Sequence, residues 1–172
     1  MNVIESIIFR LRAYSMIAGA TYYSASFIQT LFHRLFGHTR RIRKIYEVHV
    51  GGHHAQYSGE HMQSERWIAT ERHITWYYAI PFLPMMFIAC WFLPLDLFVV
   101  HIGSLVVTIS WHIYLHRQYH LRESWFSRFA WFRKKQRLHF LHHWHPHSNY
   151  AIVEYIWDRL LGTFADSREV RH

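Results

Sequence analysis

Hydrophobic and polar positions divide the chain into three charge-free stretches and two crowded polar ones. Residues 13–32 carry no charged side chain over 20 positions, and residues 74–95 carry none over 22. Residues 97–111 resume the apolar pattern after Pro94-Leu95-Asp96. A helix of about 20 apolar residues crosses a hydrocarbon core of about 30 Å, so each stretch reads as a spanning helix. The first is the least apolar, because Ser, Thr and Gln interrupt it. Proline cannot supply the N–H that a helix interior needs, so Pro94-Leu95-Asp96 predicts a tight hairpin between the second and third spans. A pair of long buried helices in a soluble protein is the alternative, and the uniform apolarity of 74–95 fits it less well. The pattern thus predicts an all-α protein. It is an integral membrane helical bundle of about three spanning helices, roughly 13–32, 74–95 and 97–116, with a cytoplasmic histidine-rich helical cap at 33–73 and 117–172. Residues 1–172 form one membrane-embedded domain.

Charge orients this bundle. Seventeen of the 19 Lys and Arg residues lie in 33–73 and 112–172, and only Arg10 and Arg12 precede the first span. With three spans both regions fall on one side, which the positive-inside rule places in the cytoplasm, with the N-terminus opposite. The net charge of +8 is then a collar that sets topology and meets anionic lipid. Nucleic-acid binding is not needed to explain it, since the aromatic residues sit in spans and not in a basic groove. Hydrophobic residues make up 51% of the chain, aromatics 19% and charged residues 17%, an apolar balance for one domain. Tyr22, Tyr23, Trp67, Trp76, Tyr77, Tyr78, Trp91, Trp111 and Trp125 cluster near span ends and read as an interfacial belt. Residues 124–135, SWFSRFAWFRKK, read as an amphipathic helix on the cytoplasmic leaflet. The single cysteine, Cys90, excludes a disulfide framework and a thiolate metal site. Residues 1–12 lack the basic and apolar regions of a signal peptide.

The 17 histidines are grouped. HRLFGH holds His33 and His38; HVGGHH holds His49, His53 and His54; HIYLH holds His112 and His116, with His120 one turn on; HFLHH holds His139, His142 and His143. Residues i and i+4, or i and i+3, share a helix face, so His112 and His116 point together, as do His139, His142 and His143. His33 and His38 are five apart, about 140° on a regular helix; Gly37 is expected to end or loosen the helix so that both turn inward, and Gly51-Gly52 to do the same before His53-His54. Ten histidines packed without metal would repel on protonation or leave ring nitrogens unpaired. As a set they read as metal ligands, imidazole suiting iron, copper, zinc and nickel. His61, His73, His101, His145, His147 and His172 read as bystanders, and His120 stands between the two readings.

The boxes HRLFGH, HVGGHH and HFLHH resemble those of membrane-bound desaturases and hydroxylases. With HIYLH, and with the tail NYAIVEYIWDRLLGTF, the resemblance narrows to the fatty acid hydroxylase and sterol desaturase superfamily over roughly residues 33–164. It implies a dinuclear centre of two iron ions, with zinc as a substitute acquired on purification, and O2 as co-substrate. The reaction implied is hydroxylation or desaturation at a C–H bond of a lipid or other apolar substrate. Carried over by motif, the ligands are His33, His38, His49, His53, His54, His112, His116, His139, His142 and His143, with His120, Asn149 and Asp158 as additional or supporting candidates. Asp158 is placed either to orient a ligating imidazole or to pair with Arg159, and Gly162 to end the last helix. The chain departs from the pattern in three ways. Three residues separate His49 from His53 where two are common, one span precedes the first box where two are usual, and no b-type cytochrome domain is fused. The resemblance therefore calls for a separate electron donor, ferredoxin-like or a b-type cytochrome.

Three other classes compete. A zinc-dependent membrane hydrolase needs a carboxylate beside the metal, and no HExxH is present. A haem protein needs two or four histidines and leaves the other boxes unexplained. A non-catalytic metal-binding or transport protein usually carries ionisable residues along its spans, where only His101 lies mid-span.

Overall fold

The computed structural model describes residues 2–70 and 79–166. His73, Trp76, Tyr77, Tyr78 and His172 lie outside the described residues. Helix α1 (Val3–Phe32) starts in a capping box: the Glu5 N–H donates to Asn2 Oδ1 (2.8 Å) and the Asn2 N–H to Glu5 Oε2 (2.9 Å). Two N–H groups that a helix start leaves open are thereby matched. A short α2 (Arg43–Val48) lies between the first two histidine boxes. The second apolar stretch is described from Ala79, where Pro81 sits in a 3-10 turn (Ile80–Phe82) leading into α3 (Leu83–Phe92). The expected hairpin follows, with Pro94 as the N-cap of α4 (Leu95–Tyr119).

Helices α1 and α4 pack side by side and run parallel, because their contacts advance together. Tyr14 and Arg10 reach Asp96, Thr21 Oγ1 lies 2.7 Å from His101 Nδ1, and Ala25 and Leu105 share an apolar cluster with Phe82. Both helices therefore arrive at the same end of the molecule, where the histidines are. Phe87, Ile88, Trp91 and Phe92 of α3 and Val99, Val106 and Val107 of α4 remain exposed; an apolar surface of this extent marks a contact with lipid or protein. Among the described helices, α4 alone is both long and apolar enough to cross a membrane. The 30 residues of α1 cover the first expected span with a less apolar helix, and α3 is short.

The polar remainder forms the cap, built on α5 (Ala130–Trp144) and α6 (Ile156–Leu160). Leu115, Tyr119, Phe132 and Val153 make one of its apolar clusters, and Leu138, Ala151 and Tyr155 another. Gly162, at φ 68°, follows α6 in the left-handed conformation that ends a helix. No strand occurs among the described residues; one isolated bridge joins Ser64 to Leu121. One local expectation is corrected. Residues 124–135 are not one amphipathic helix: a 3-10 turn (Trp125–Arg128) and an extended Phe129 precede α5. Phe132 is fully buried and Phe126 and Phe129 pack beside it, so the apolar side of this segment serves the cap core. Trp125 stays exposed, with the Arg128 guanidinium 3.3 Å over its ring.

Candidate metal centre

Ten imidazoles form a second, polar core beneath the ends of α1 and α4. His33, His38, His49, His54 and His142 make one group, and His53, His116, His120, His139 and His143 the other; within each group the ligand atoms lie within 4.8 Å of one another. The groups adjoin, with the His54 and His143 rings stacked at 4.1 Å.

Two local departures from the regular helix build the first group. Past Phe32 the chain widens into a π-helical turn, His33–Gly37, with the His38 N–H donating to the His33 carbonyl (3.2 Å). A ladder from i+5 to i turns residues five apart onto one face. A second π-helical turn, His49–His54, does the same for His49 and His54 and leaves His53 facing the second group. Gly37 acts through close approach: a Cβ there would meet His33 Cδ2 at 2.9 Å and His49 Cδ2 at 3.2 Å. The second group uses i, i+4 spacing, His116 on α4 and His120 at its C-cap with His139 and His143 on α5, while His142 beside His143 turns to the first group.

Nine of the ten histidines carried over by motif are thus brought together, and His112 is not. HIYLHRQYH contains two i, i+4 pairs, and it is His116 with His120 that converges. His112, one turn earlier, meets the Tyr22 ring edge-on at 6.1 Å, and its Nε2 is buried without a hydrogen bond.

Backbone carbonyls orient four of the rings. The Nδ1–H groups of His33, His142, His120 and His143 donate to the carbonyls of Tyr150 (2.6 Å), Ser148 (2.7 Å), Met62 (2.8 Å) and Tyr57 (2.7 Å). A carbonyl only accepts, so each Nδ1 holds the proton and each Nε2 presents a lone pair. In the first group the Nε2 atoms of His33, His38 and His49 form a triangle with sides of 2.7, 3.1 and 3.2 Å. Protons cannot satisfy it. Each hydrogen bond needs one N–H and one lone pair, and three mutual contacts cannot alternate. A shared cation does satisfy it: nitrogens bound at about 2.1 Å and about 90° apart lie about 3 Å from each other. In the second group the corresponding Nε2 separations are 3.0 Å for His53–His116, 2.9 Å for His120–His139 and 3.2 Å for His139–His143.

Burial favours the neutral form of eight of these rings. It pushes His33 down to about 3, helped by the neighbouring His49, and His120 down to about 4. His38, His53, His54, His139, His142 and His143 are likewise lowered, by burial first and by other imidazoles second. Neutral imidazole is the metal-binding form.

Asp158 neither orients an imidazole directly nor pairs with Arg159. Its carboxylate accepts from the Tyr150 N–H (2.7 Å), the Ala151 N–H (2.9 Å) and the Thr163 hydroxyl (2.7 Å), while Arg159 lies over Phe164. Asp158 therefore holds the loop whose Tyr150 carbonyl holds His33. Asn149, at φ 52°, ties the same loop down: its amide donates to the Leu138 and Ala165 carbonyls and accepts from the Ala165 N–H. These carbonyl contacts carried no signal in the sequence, because any residue type supplies a carbonyl.

The sequence model of the fatty acid hydroxylase family matches residues 19–163. The chain belongs to the fatty acid hydroxylase family. No curated protein and no solved structure matches it. As a member of the fatty acid hydroxylase/sterol desaturase superfamily it belongs to a membrane-bound oxidoreductase family whose metal is iron. Both histidine groups of this hydroxylase-family chain fall inside the matched residues. A cavity of about 260 Å³ adjoins both groups, bordered by His33 and His49 on one side and His116 on the other.

Proposed function

We propose that the protein is a membrane-bound, O2-dependent non-haem diiron oxidoreductase that hydroxylates or desaturates a C–H bond of a lipid or other apolar substrate. The observation that carries this reading is the pairing of two five-histidine groups at the wall of one largely apolar cavity. In it His33, His38, His49, His54 and His142 hold one iron, and His53, His116, His120, His139 and His143 the other. The iron pair, when bound, supplies the activation of O2. The protein's own part is to fix ring tautomers through the Tyr150, Ser148, Met62 and Tyr57 carbonyls and to admit an apolar chain to a dry site. Hydroxylation converts RH, O2, two electrons and two protons into ROH and water; desaturation takes two hydrogens from adjacent carbons and yields an alkene and two waters. The electrons come from a separate donor protein, ferredoxin-like or a b-type cytochrome. The distribution of Lys and Arg supports a topology with the histidines on the cytoplasmic side, three spans and the N-terminus opposite.

The test is metal analysis of anaerobically purified protein together with lipid analysis of cells with and without the chain under 18O2. Two irons per chain and a new alcohol carrying the label, or a new alkene formed only with O2, are expected. One ion or none, or no O2-dependent product, overturns the reading. Zinc after aerobic purification does not, since zinc competes well for imidazole sites.

A further inference from the structure

The second histidine group is backed by a continuous aromatic stack. The Tyr57 ring lies over His120 with centroids 4.1 Å apart and planes 26° apart, and Trp67 stacks on Tyr57 at 5.6 Å and 17°. Trp67 also meets His53, His116 and His120 directly, at 6.0, 5.8 and 6.0 Å. By sequence it belongs with the span-end aromatics, yet it is half-buried at the wall of the cavity beside the histidines. The exposed Arg117 sets its guanidinium 5.9 Å from the Trp67 ring centroid.

This placement matters when no substrate fills the cavity. A dry site keeps an oxidant from water but not from its own walls, and the nearest walls are the ligand imidazoles themselves. Among aromatic side chains indole gives up one electron most readily, because its π electrons are the least tightly held. Phenol follows, provided its proton has a base to go to. Tyr57 faces none: its hydroxyl oxygen accepts from the Ile68 N–H (3.0 Å), and its other neighbour is Ser64 Oγ (3.4 Å), whose own proton goes to the Arg66 carbonyl (2.6 Å). A serine hydroxyl can accept a hydrogen bond but does not take up a proton. Tyr57 therefore bridges, and Trp67 is the ring that yields the electron. We propose that Trp67 is a redox-active residue that discharges the oxidised centre when the cavity is empty, with Tyr57 as its stacked bridge to His120. The indole of Trp67 loses one electron, and the centre is reduced by that electron. The indole N–H proton leaves for water, because the Arg117 charge beside the ring opposes a retained positive charge. The neutral indolyl radical regains one electron from the protein that donates electrons to the centre and one proton from water, which restores Trp67. This inference rests on the reading of the two histidine groups as the oxidising site.

The experiment exposes reduced, iron-loaded protein in detergent to 18O2 without substrate, and reads rapid-freeze electron paramagnetic resonance and peptide mass spectrometry. An indolyl radical is expected, with label concentrated on Trp67, since indolyl radicals that escape reduction combine with O2. Trp125 and Trp144 should carry little label, although at 60% and 55% exposure they are open to oxidants that diffuse through solvent. Trp67→Phe keeps an aromatic ring in the stack. It is expected to abolish the indolyl radical, to move the label onto His53, His116, His120 or Tyr57, and to lose iron several-fold faster under O2. Label that follows exposure, label centred on Tyr150, which meets the first group edge-on, or a Trp67→Phe variant with the radical and iron retention of the wild type overturns the inference. Where phenylalanine lowers the starting iron content, the radical and the label map of the wild type decide alone. Two irons and O2 consumption without oxidation of Trp67 overturn the inference and leave the oxidising role standing. Fewer than two irons, or no O2 consumed, overturns that role and the inference with it.

Discussion

The two histidine groups hold the same number of rings and are built differently. The second rests mainly on regular helices, with His116 on α4 and His120 at its C-cap, and His139 and His143 on α5, each pair at i, i+4, while His53 comes from the second π-helical turn. The first depends on two π-helical turns, His33–Gly37 and His49–His54, and on the close approach that Gly37 permits. Each group has two rings tethered to carbonyls, but those of the first lead to the 148–150 loop and those of the second to Tyr57 and Met62. The lesson is that one candidate centre can combine a robust half and a conditional half. Perturbing the first π turn or the 148–150 loop should empty one group and spare the other, whereas the second π turn, which carries His49 and His54 for one group and His53 for the other, should affect both.

The largest effects test the partition itself. His142→Ala and His143→Ala alter adjacent residues that face different groups. Each is expected to lower metal content from two ions per chain to one and to reduce turnover on the order of 100-fold or more. His120→Ala should behave like His143→Ala, whereas His112→Ala should keep both ions and His61→Ala both ions and turnover. Metal analysis at matched expression decides this; a His112 variant with one ion beside a His120 variant with two would restore the pairing of His112 with His116.

Gly37→Ala comes next. Its Cβ would press on the rings of both His33 and His49, with no flexible chain end to give way. Loss of one ion and most turnover is expected, with the second group still loaded. Gly103→Ala meets no atom within 4 Å and should be silent or slightly stabilising, as alanine generally is in a helix. Two ions in the Gly37 variant would show that the first group tolerates displacement.

Asp158→Asn should weaken without emptying. It replaces a carboxylate that accepts three hydrogen bonds by an amide that cannot accept at both oxygens. A cost of about 2 kcal/mol in stability is expected for the lost charge-assisted bonds. Through Tyr150 and His33, a tenfold or larger loss of affinity in the first group is expected. Metal titration monitored with the second group filled separates this from a global loss; equal weakening of both groups would mean that Asp158 acts on the whole cap.

Much of this was legible in the sequence. The charge-free stretches locate α1 and α4, and Pro94 locates the hairpin, because apolar length and proline act locally. The boxes nominated nine of the ten grouped histidines. The register on α4 was not legible: HIYLHRQYH offers two equivalent i, i+4 pairs, and only the position of α5 chooses between them. Nor were the π turns, since five-residue spacing looks discordant until the ladder changes. The second box showed the same thing, where the spacing of His49 from His53 departs from the family pattern while His49 and His54 close on one face. Asp158 stood out in the sequence as an acid near the last box, but neither role expected for it is the one it takes: its partners are two backbone N–H groups and the Thr163 hydroxyl, which no sequence pattern marks.

The smallest effect distinguishes His33 from His120 in the metal-free protein. Both are buried neutral, at about 3 and about 4 respectively, against an ordinary value of 6.5. Below pH 6.5 the unfolded chain takes up protons that the folded rings refuse, so the unfolded state binds more protons and stability falls as pH falls. Each ring contributes about 1.4 kcal/mol per pH unit to this loss, and its contribution ceases once pH passes its folded value. His120 therefore stops adding to the slope near pH 4, while His33 continues to about 3. Denaturant unfolding of chelator-treated protein in detergent, from pH 7 to 3, should show stability declining with acidity. His33→Ala should shallow the decline over the whole acid range, and His120→Ala only above pH 4. A stability that is flat or rises on acidification would mean that the rings are already charged or solvated without metal, and that the metal, not the fold, assembles both groups.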